Sequence, residues 1–215
     1  MPFVPANQRK ATLKSKTIFI LRHGETDFNK NGMVQGRGVN ASLNEVGKEQ
    51  ARKAGATLAD ISFDHVFTSA LVRTKETVGQ FIHNGTPVTS LDGFDEISWG
   101  NQEGKEASYD AKNLYADTVN GWRRGELHLN VGGGENPLEV MERQQTAMQQ
   151  VLETDGENIL ICMHGRAMRV LLSWTLNYPL NFMDGFPHAN CSYYVLGYRR
   201  SSFYLKDFNR VGHLG

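Results

Sequence analysis

Short apolar runs rich in branched and aromatic residues punctuate this chain at positions 17–21, 65–68, 87–91, 158–163, 191–198 and 203–208. Longer mixed stretches lie between them at 44–59, 71–83, 137–153 and 165–176. The first kind predicts strands and the second predicts helices with one buried face. Strands alternating with helices imply βαβ units, and hence an α/β fold with three α/β/α layers around a mainly parallel sheet. The last two runs are separated only by residues 199–202, which predicts a hairpin and an antiparallel edge strand near the C-terminus. Asn44 suits a helix N-cap and Pro137 a first helical turn, after the glycine-rich loop at 132–134. Residues 98–134 show no clean period and predict one or two irregular helices. No repeat or low-complexity linker divides the chain, so 1–215 is expected to form one domain, with 1–16 as a mobile arm and 97–134 as a cap-like insertion.

Composition narrows the function classes. The 23 basic and 23 acidic side chains leave no overall field for nucleic acid or a membrane surface. Arg9, Lys10, Lys14 and Lys16 precede the first acid, Glu25, and read as a solvated arm. No apolar run approaches the roughly 20 residues that span a bilayer, and no secretory signal is expected. Cys162 and Cys191 give neither a disulfide framework nor a metal-type spacing, which fits a reducing cytoplasm. Nothing in the composition identifies an interface, so oligomeric state stays open.

Two corners carry candidate chemistry. Arg22-His23-Gly24-Glu25-Thr26 follows the first strand run, and His164-Gly165-Arg166 follows the fourth. Open α/β sheets bind ligands at the C-terminal ends of their strands, where glycine admits close backbone approach and a helix N-terminus attracts anions. Two such corners converging would form a phosphate pocket holding two histidines. Arg22 offers a permanently charged fork for phosphate oxygens, and its repulsion would keep His23 neutral and nucleophilic. Ser69 and Arg73 stand at a third strand end, Ser69 as an expected helix cap and Arg73 near the first turn. One ion pair at about 4 Å contributes about 4 kcal/mol at an effective dielectric near 20, so several arginines can hold a dianion without metal. The same arginines would repel a cation, so neither metal nor cofactor is expected. Asp92, Asp95, Glu96 and Glu103 are open candidates for an acid. Cys162, Trp99, Trp122 and Trp174 read as packing, and His65, His83, His128, His188 and His213 have no motif around them. Trp122-Arg123-Arg124 fits either a substrate contact or a solvated turn.

The blocks taken in order resemble a known family. Leu21-Arg22-His23-Gly24-Glu25-Thr26 with Asn29, Gln35-Gly36, Leu43 and Gly47 is similar to the opening of the histidine phosphatase superfamily, phosphoglycerate-mutase-like branch. Ser69-Ala70-Leu71-Val72-Arg73 with Thr77, then Glu96, then Gly134-Glu135 with Arg143, then Met163-His164-Gly165 resemble its later blocks. The resemblance implies that His23 is the nucleophile and that Arg22, Arg73, His164 and Asn29 bind phosphoryl oxygens. It also implies that Glu96 is the acid and then the base, with His164 part of the catalytic set. Three departures stand beside this machinery: Asn40-Ala41-Ser42-Leu43, Asn136 where serine is usual, and Arg166 where a small residue is common. They bear on substrate preference. The expected activity is metal-independent hydrolysis of a small phosphomonoester through phosphohistidine. A cofactor-dependent phosphoglycerate mutase is the alternative, and a catalytically silent phosphoprotein or phosphometabolite binder is the third reading.

Overall fold

The computed structural model describes residues 15–82, 85–106 and 108–215, so most of the arm expected over 1–16, and His83, lie outside the described residues. Six strands form one sheet: β1 (Lys16–Arg22), β2 (His65–Thr68), β3 (Val88–Ser90), β4 (Asn158–Met163), β5 (Tyr193–Arg199) and β6 (Ser202–Arg210). Their order is β3-β2-β4-β1-β5-β6. The first four are parallel to one another, whereas β5 runs antiparallel to β1 and pairs with β6 as the expected hairpin. The antiparallel portion is therefore two strands wide.

Helices α1 (Asp27–Lys30), α2 (Glu45–Thr57), α3 (Val72–Val78), α4 (Tyr109–Arg123), α5 (Pro137–Glu153) and α6 (Gly165–Thr175) complete the fold. Both sheet faces are covered. Ile18, Ile20, Ile159, Ile161 and Met163 point into a core with Val119 and Trp122 of α4, Val140 and Met148 of α5, and Val170 and Leu171 of α6. The alternate residues Phe19, Leu21, Leu160 and Cys162 meet Ala51 and Ala54 of α2 and Val78 of α3. This two-sided burial is why these strands read as continuous apolar runs. Among the described residues no helix is long and apolar enough to cross a membrane.

Three local expectations need correction. Residues 98–134 contain one regular helix, α4, preceded by a 3-10 turn at Gly100–Gln102. Its apolar positions Tyr115, Val119 and Trp122 recur every three or four residues, but the stripe is short and only the Thr118–Trp122 end is buried, while Tyr109, Leu114 and Tyr115 remain exposed. The helix expected over 71–83 stops at Val78 and tightens into a 3-10 turn, Gly79–Phe81. Ser69 does not cap it directly; Asn40 Oδ1 accepts the Val72 N–H at 2.8 Å. Elsewhere the caps follow the side chains: Asn44 accepts from Gly47 N, and Asn136 with Glu139 forms a capping box ahead of Pro137.

One backbone contact fastens α2 to the loop after β1. A Cβ on Gly47 would stand 2.1 Å from Glu25 O, and one on Gly24 would stand 2.5 Å from Gly47 O. Neither neighbour is a flexible side chain that could move aside. Gly47→Ala should therefore cost about 3 kcal/mol and lower the thermal midpoint by about 6–12 °C in circular dichroism. An unchanged midpoint would show that the two backbones can separate.

Candidate active site

Register brings the two histidine corners together. Arg22 at the end of β1 lies opposite Met163 at the end of β4, so His23 and His164 leave the sheet side by side. Their ring centroids are 5.0 Å apart, and His23 N–H donates to Met163 O at 3.0 Å. β2 adjoins β4 and delivers Ser69 and Arg73 to the same end. β5, entering antiparallel, adds Asn190 and Cys191, whose amide groups donate to His23 O at 3.0 and 3.3 Å.

The hydrogen bonds assign each ring's tautomer. His23 Nδ1 lies 2.7 Å from Gly24 O, a pure acceptor, so Nδ1 carries the proton and Nε2 keeps a free lone pair. Arg73 Nε donates to His164 Nδ1 at 3.1 Å, so His164 Nε2 carries its proton and donates to Ser69 Oγ at 2.8 Å. Arg22 Nη1 meets His188 Nδ1 at 3.3 Å, which makes that nitrogen the acceptor. Burial, followed by the charges of Arg22 and Arg73, holds His23 well below its ordinary pKa. Burial and then Arg73 do the same for His164. Burial and then Arg22 push His188 down to about 3. Burial outranks the Arg22 repulsion that the sequence alone suggested.

Glu96 is 8% exposed and sits at the N-terminus of α6. Its Oε1 accepts from Ile97 N and Ala167 N at 2.9 and 2.8 Å, and Oε2 accepts from Arg166 N at 3.1 Å. The turn that carries it is clamped from α5. Arg143 donates to the carbonyls of Gly93 and Asp95 at 2.9 Å and of Glu96 at 3.1 Å. Glu135 grips Arg143 with both carboxylate oxygens, at 2.8 and 3.0 Å, and also accepts from Ser98 N. The distant Glu135 and Arg143 thus act through the position of Glu96.

A cavity of about 430 Å³ opens here, lined by Arg22, His23, Asn29, Glu96, Arg166, Arg169 and His188 on its polar side. Met33, Val34, Trp99 and Val131 supply an apolar wall, and α4 contributes Ala111, Lys112 and Tyr115. Among the described residues, Arg22 Nε is buried without a hydrogen-bond partner. Asn29 uses Oδ1 to accept from Thr26 N and Asn190 Nδ2, each at 3.2 Å, leaving its amide N–H groups for the cavity. Arg73 and His164, both 0% exposed, lie behind these residues. Besides its bond to His164, Arg73 donates to Val39 O at 2.6 Å and Gly36 O at 3.2 Å. Among the described residues, no three His, Cys, Asp or Glu side chains come together as a metal-ligand set.

Comparison with known proteins identifies the family. The family model of the histidine phosphatase superfamily (branch 1) matches residues 18–211. The chain belongs to that superfamily. It is 27% identical over 207 residues to the uncharacterized phosphatase PhoE of Bacillus subtilis, covering 92% of this chain and 96% of that one. A shorter match to fructose-2,6-bisphosphatase TIGAR of Bos taurus is 51% identical over 61 residues, which is 28% of this chain and 23% of that protein. The structure of Bacillus stearothermophilus YhfR superposes with a TM-score of 0.81 at 25% identity, over 93% of this chain and 100% of that one. Phosphatases and phosphoglycerate-mutase-like proteins both occur among the relatives of this superfamily member.

The three positions read in the sequence as departures from the resemblance separate in space. Asn40 and Asn136 serve as helix caps for α3 and α5, while Arg166 lines the cavity. Trp122 is buried beneath Arg166, Arg123 pairs with Asp184 at 3.0 Å, and Arg124 pairs with Glu126, so that tripeptide does not line the cavity. His188, set aside in the sequence, does line it. The signal was its place just before β5, whose N-terminal end pairs with the C-terminal end of β1.

The neutral histidines couple stability to pH. An unfolded chain takes up protons below an ordinary histidine pKa of about 6.5, whereas the folded rings refuse them until far lower pH. The folded state should lose stability as pH falls from 6.5 toward about 3, the window set by His188. Urea unfolding at about pH 7 and about pH 5 should show this, and His188→Gln should flatten the slope. An unaltered slope would remove His188 from the account.

Proposed function

We propose that the protein is a metal-independent phosphomonoester hydrolase working through a phosphohistidine at His23. The observation that carries this reading is the pairing of a neutral His23, its Nδ1 proton tied to Gly24 O, with a buried and unpartnered Arg22 Nε in one cavity. A free imidazole lone pair beside an unsatisfied guanidinium suits attack on an anionic phosphoryl group.

In the first step His23 Nε2 attacks phosphorus, the bond to the ester oxygen breaks, and Glu96 gives that oxygen its proton. Arg22 and the Asn29 amide bind the phosphoryl oxygens; Arg73 adds positive charge from behind, where it also holds His164. In the second step Glu96 takes a proton from water, the water oxygen attacks phosphorus and the phosphorus–nitrogen bond breaks. Inorganic phosphate leaves, and His23 and Glu96 return to their starting protonation. Glu96 is the single carboxylate among the described lining residues, which supports its place in this scheme. Fixed donors aimed at the developing charge supply the acceleration, because they need no reorganisation during reaction. The name of the relative PhoE supports hydrolysis over phosphoryl return to a second hydroxyl.

Phosphate release from a phosphomonoester panel in excess EDTA checks the reading. Wild type should turn over, and His23→Ala should lose at least about a thousandfold of activity while keeping its fold. Acid-labile phosphate should be trapped on wild type alone. Rates near normal in His23→Ala would defeat the scheme, and isomerised phosphoglycerate without phosphate release would favour a mutase. Glu96→Gln should slow alkyl phosphates by about a hundredfold or more and activated aryl phosphates far less, since only the former need leaving-group protonation. Equal slowing would remove Glu96 as the acid.

A further inference from the structure

The cavity holds a second charged corner that phosphoryl transfer does not use. Arg166 Nη1 and Arg169 Nη1 on α6 reach the same oxygen of Asp184 at 2.6 and 2.9 Å. Arg123 of α4 takes the other oxygen at 3.0 Å. One negative charge is thus shared by three guanidiniums, and two of these line the cavity. Arg166 is only 6% exposed, lies 5.5 Å from the centre of the Trp122 ring and donates to Tyr115 Oη at 2.8 Å. Arg169 is held by Phe186 O at 3.0 Å. Both forks are therefore fixed, with their charges poorly screened by water.

Charge counting separates this corner from the phosphoryl site. Arg22 and Arg73 match a phosphoryl dianion when Glu96 carries the proton that the first step requires. Arg123, Arg166 and Arg169 against Asp184 leave two positive charges over, and Lys112 at the rim adds another. A surplus buried charge calls for a counter-charge.

We infer that Arg166 and Arg169 form a second anion subsite, and that the substrate's leaving group carries a carboxylate or a second phosphate. The inference rests on the hydrolase reading for where the phosphoryl group sits. With one end of the ester on Arg22 and His23 and the other anion on Arg166 and Arg169, the short chain between them runs along Trp99 and Val131.

The test compares kcat/KM for three three-carbon esters: glycerol 3-phosphate, 3-phosphoglycerate and propane-1,3-diol bisphosphate. Wild type should favour one or both of the doubly anionic esters by about tenfold or more. The favoured ester names the anion. Arg166→Met should bring that ratio close to one. Tyr115→Phe removes only the hydroxyl that holds Arg166 and should lower the ratio by about threefold. Its exposed ring makes it the informative variant if Arg166→Met does not fold. Equal kcat/KM for all three esters in wild type, or a ratio unmoved by both substitutions, would overturn the inference. Absence of all turnover would defeat the hydrolase reading instead. Calorimetric binding of the same esters to His23→Ala would then decide: tighter binding of an anionic ester, lost with Arg166→Met, supports the subsite, and equal binding sinks it.

Discussion

Parallel pairing of β1 with β4 is the constraint on which the site depends. Arg22 stands opposite Met163, so the two histidines that follow emerge at one level with their rings 5.0 Å apart. A slip of one residue would turn every side chain of a strand to the other face. Here both faces are buried, with Ile18 and Ile20 on one and Phe19 and Leu21 on the other, so the two cores hold the register that the site requires. Packing far from the cavity thus decides the geometry inside it.

The second theme is charge held where it is poorly satisfied. Among the described residues Arg22 has a buried Nε with no partner, and Arg73 spends its donors on a histidine and two carbonyls. Arg166 and Arg169 share Asp184 with Arg123. The surrounding structure keeps these cations in place: Arg143 and Glu135 clamp the Glu96 turn, and α6 presents its first N–H groups to the Glu96 carboxylate. Such an arrangement favours an anionic occupant and keeps the buried imidazoles neutral. The same burial that keeps a second proton off each ring links the fold's stability to acidity.

Much of the fold was legible because buried strands leave a strong local trace. The runs at 17–21 and 158–163 are apolar at nearly every position, and the caps Asn44 and Pro137 announce their helices. The helix α4 was passed over because its apolar stripe, Tyr115, Val119 and Trp122, is short, sits within a long stretch without other periodicity, and is buried only at one end. At the site, the histidine and arginine corners were visible as motifs. His188 was invisible because its role depends on β5 running antiparallel. The bond between Arg143 and Glu135 could be seen as a pattern, yet its work on the Glu96 turn could not.

By itself, the sequence determined the α/β class, the superfamily and the residue types gathered at the strand ends, since these follow from local periodicity and short motifs. Only the tertiary structure decided which of them face the cavity. It placed His23, Arg22, Asn29 and Glu96 at the surface of that space, set Arg73 and His164 behind, and turned Asn40 and Asn136 into helix caps while sending Arg166 inward. It also fixed the tautomers, because a ring nitrogen's proton is assigned by the partner it meets. The His23 tautomer and the Asn136 cap are set by near neighbours in the chain, whereas the placing of Arg22 against His188 and of Arg73 against His164 arises from contacts between distant segments that no local pattern encodes.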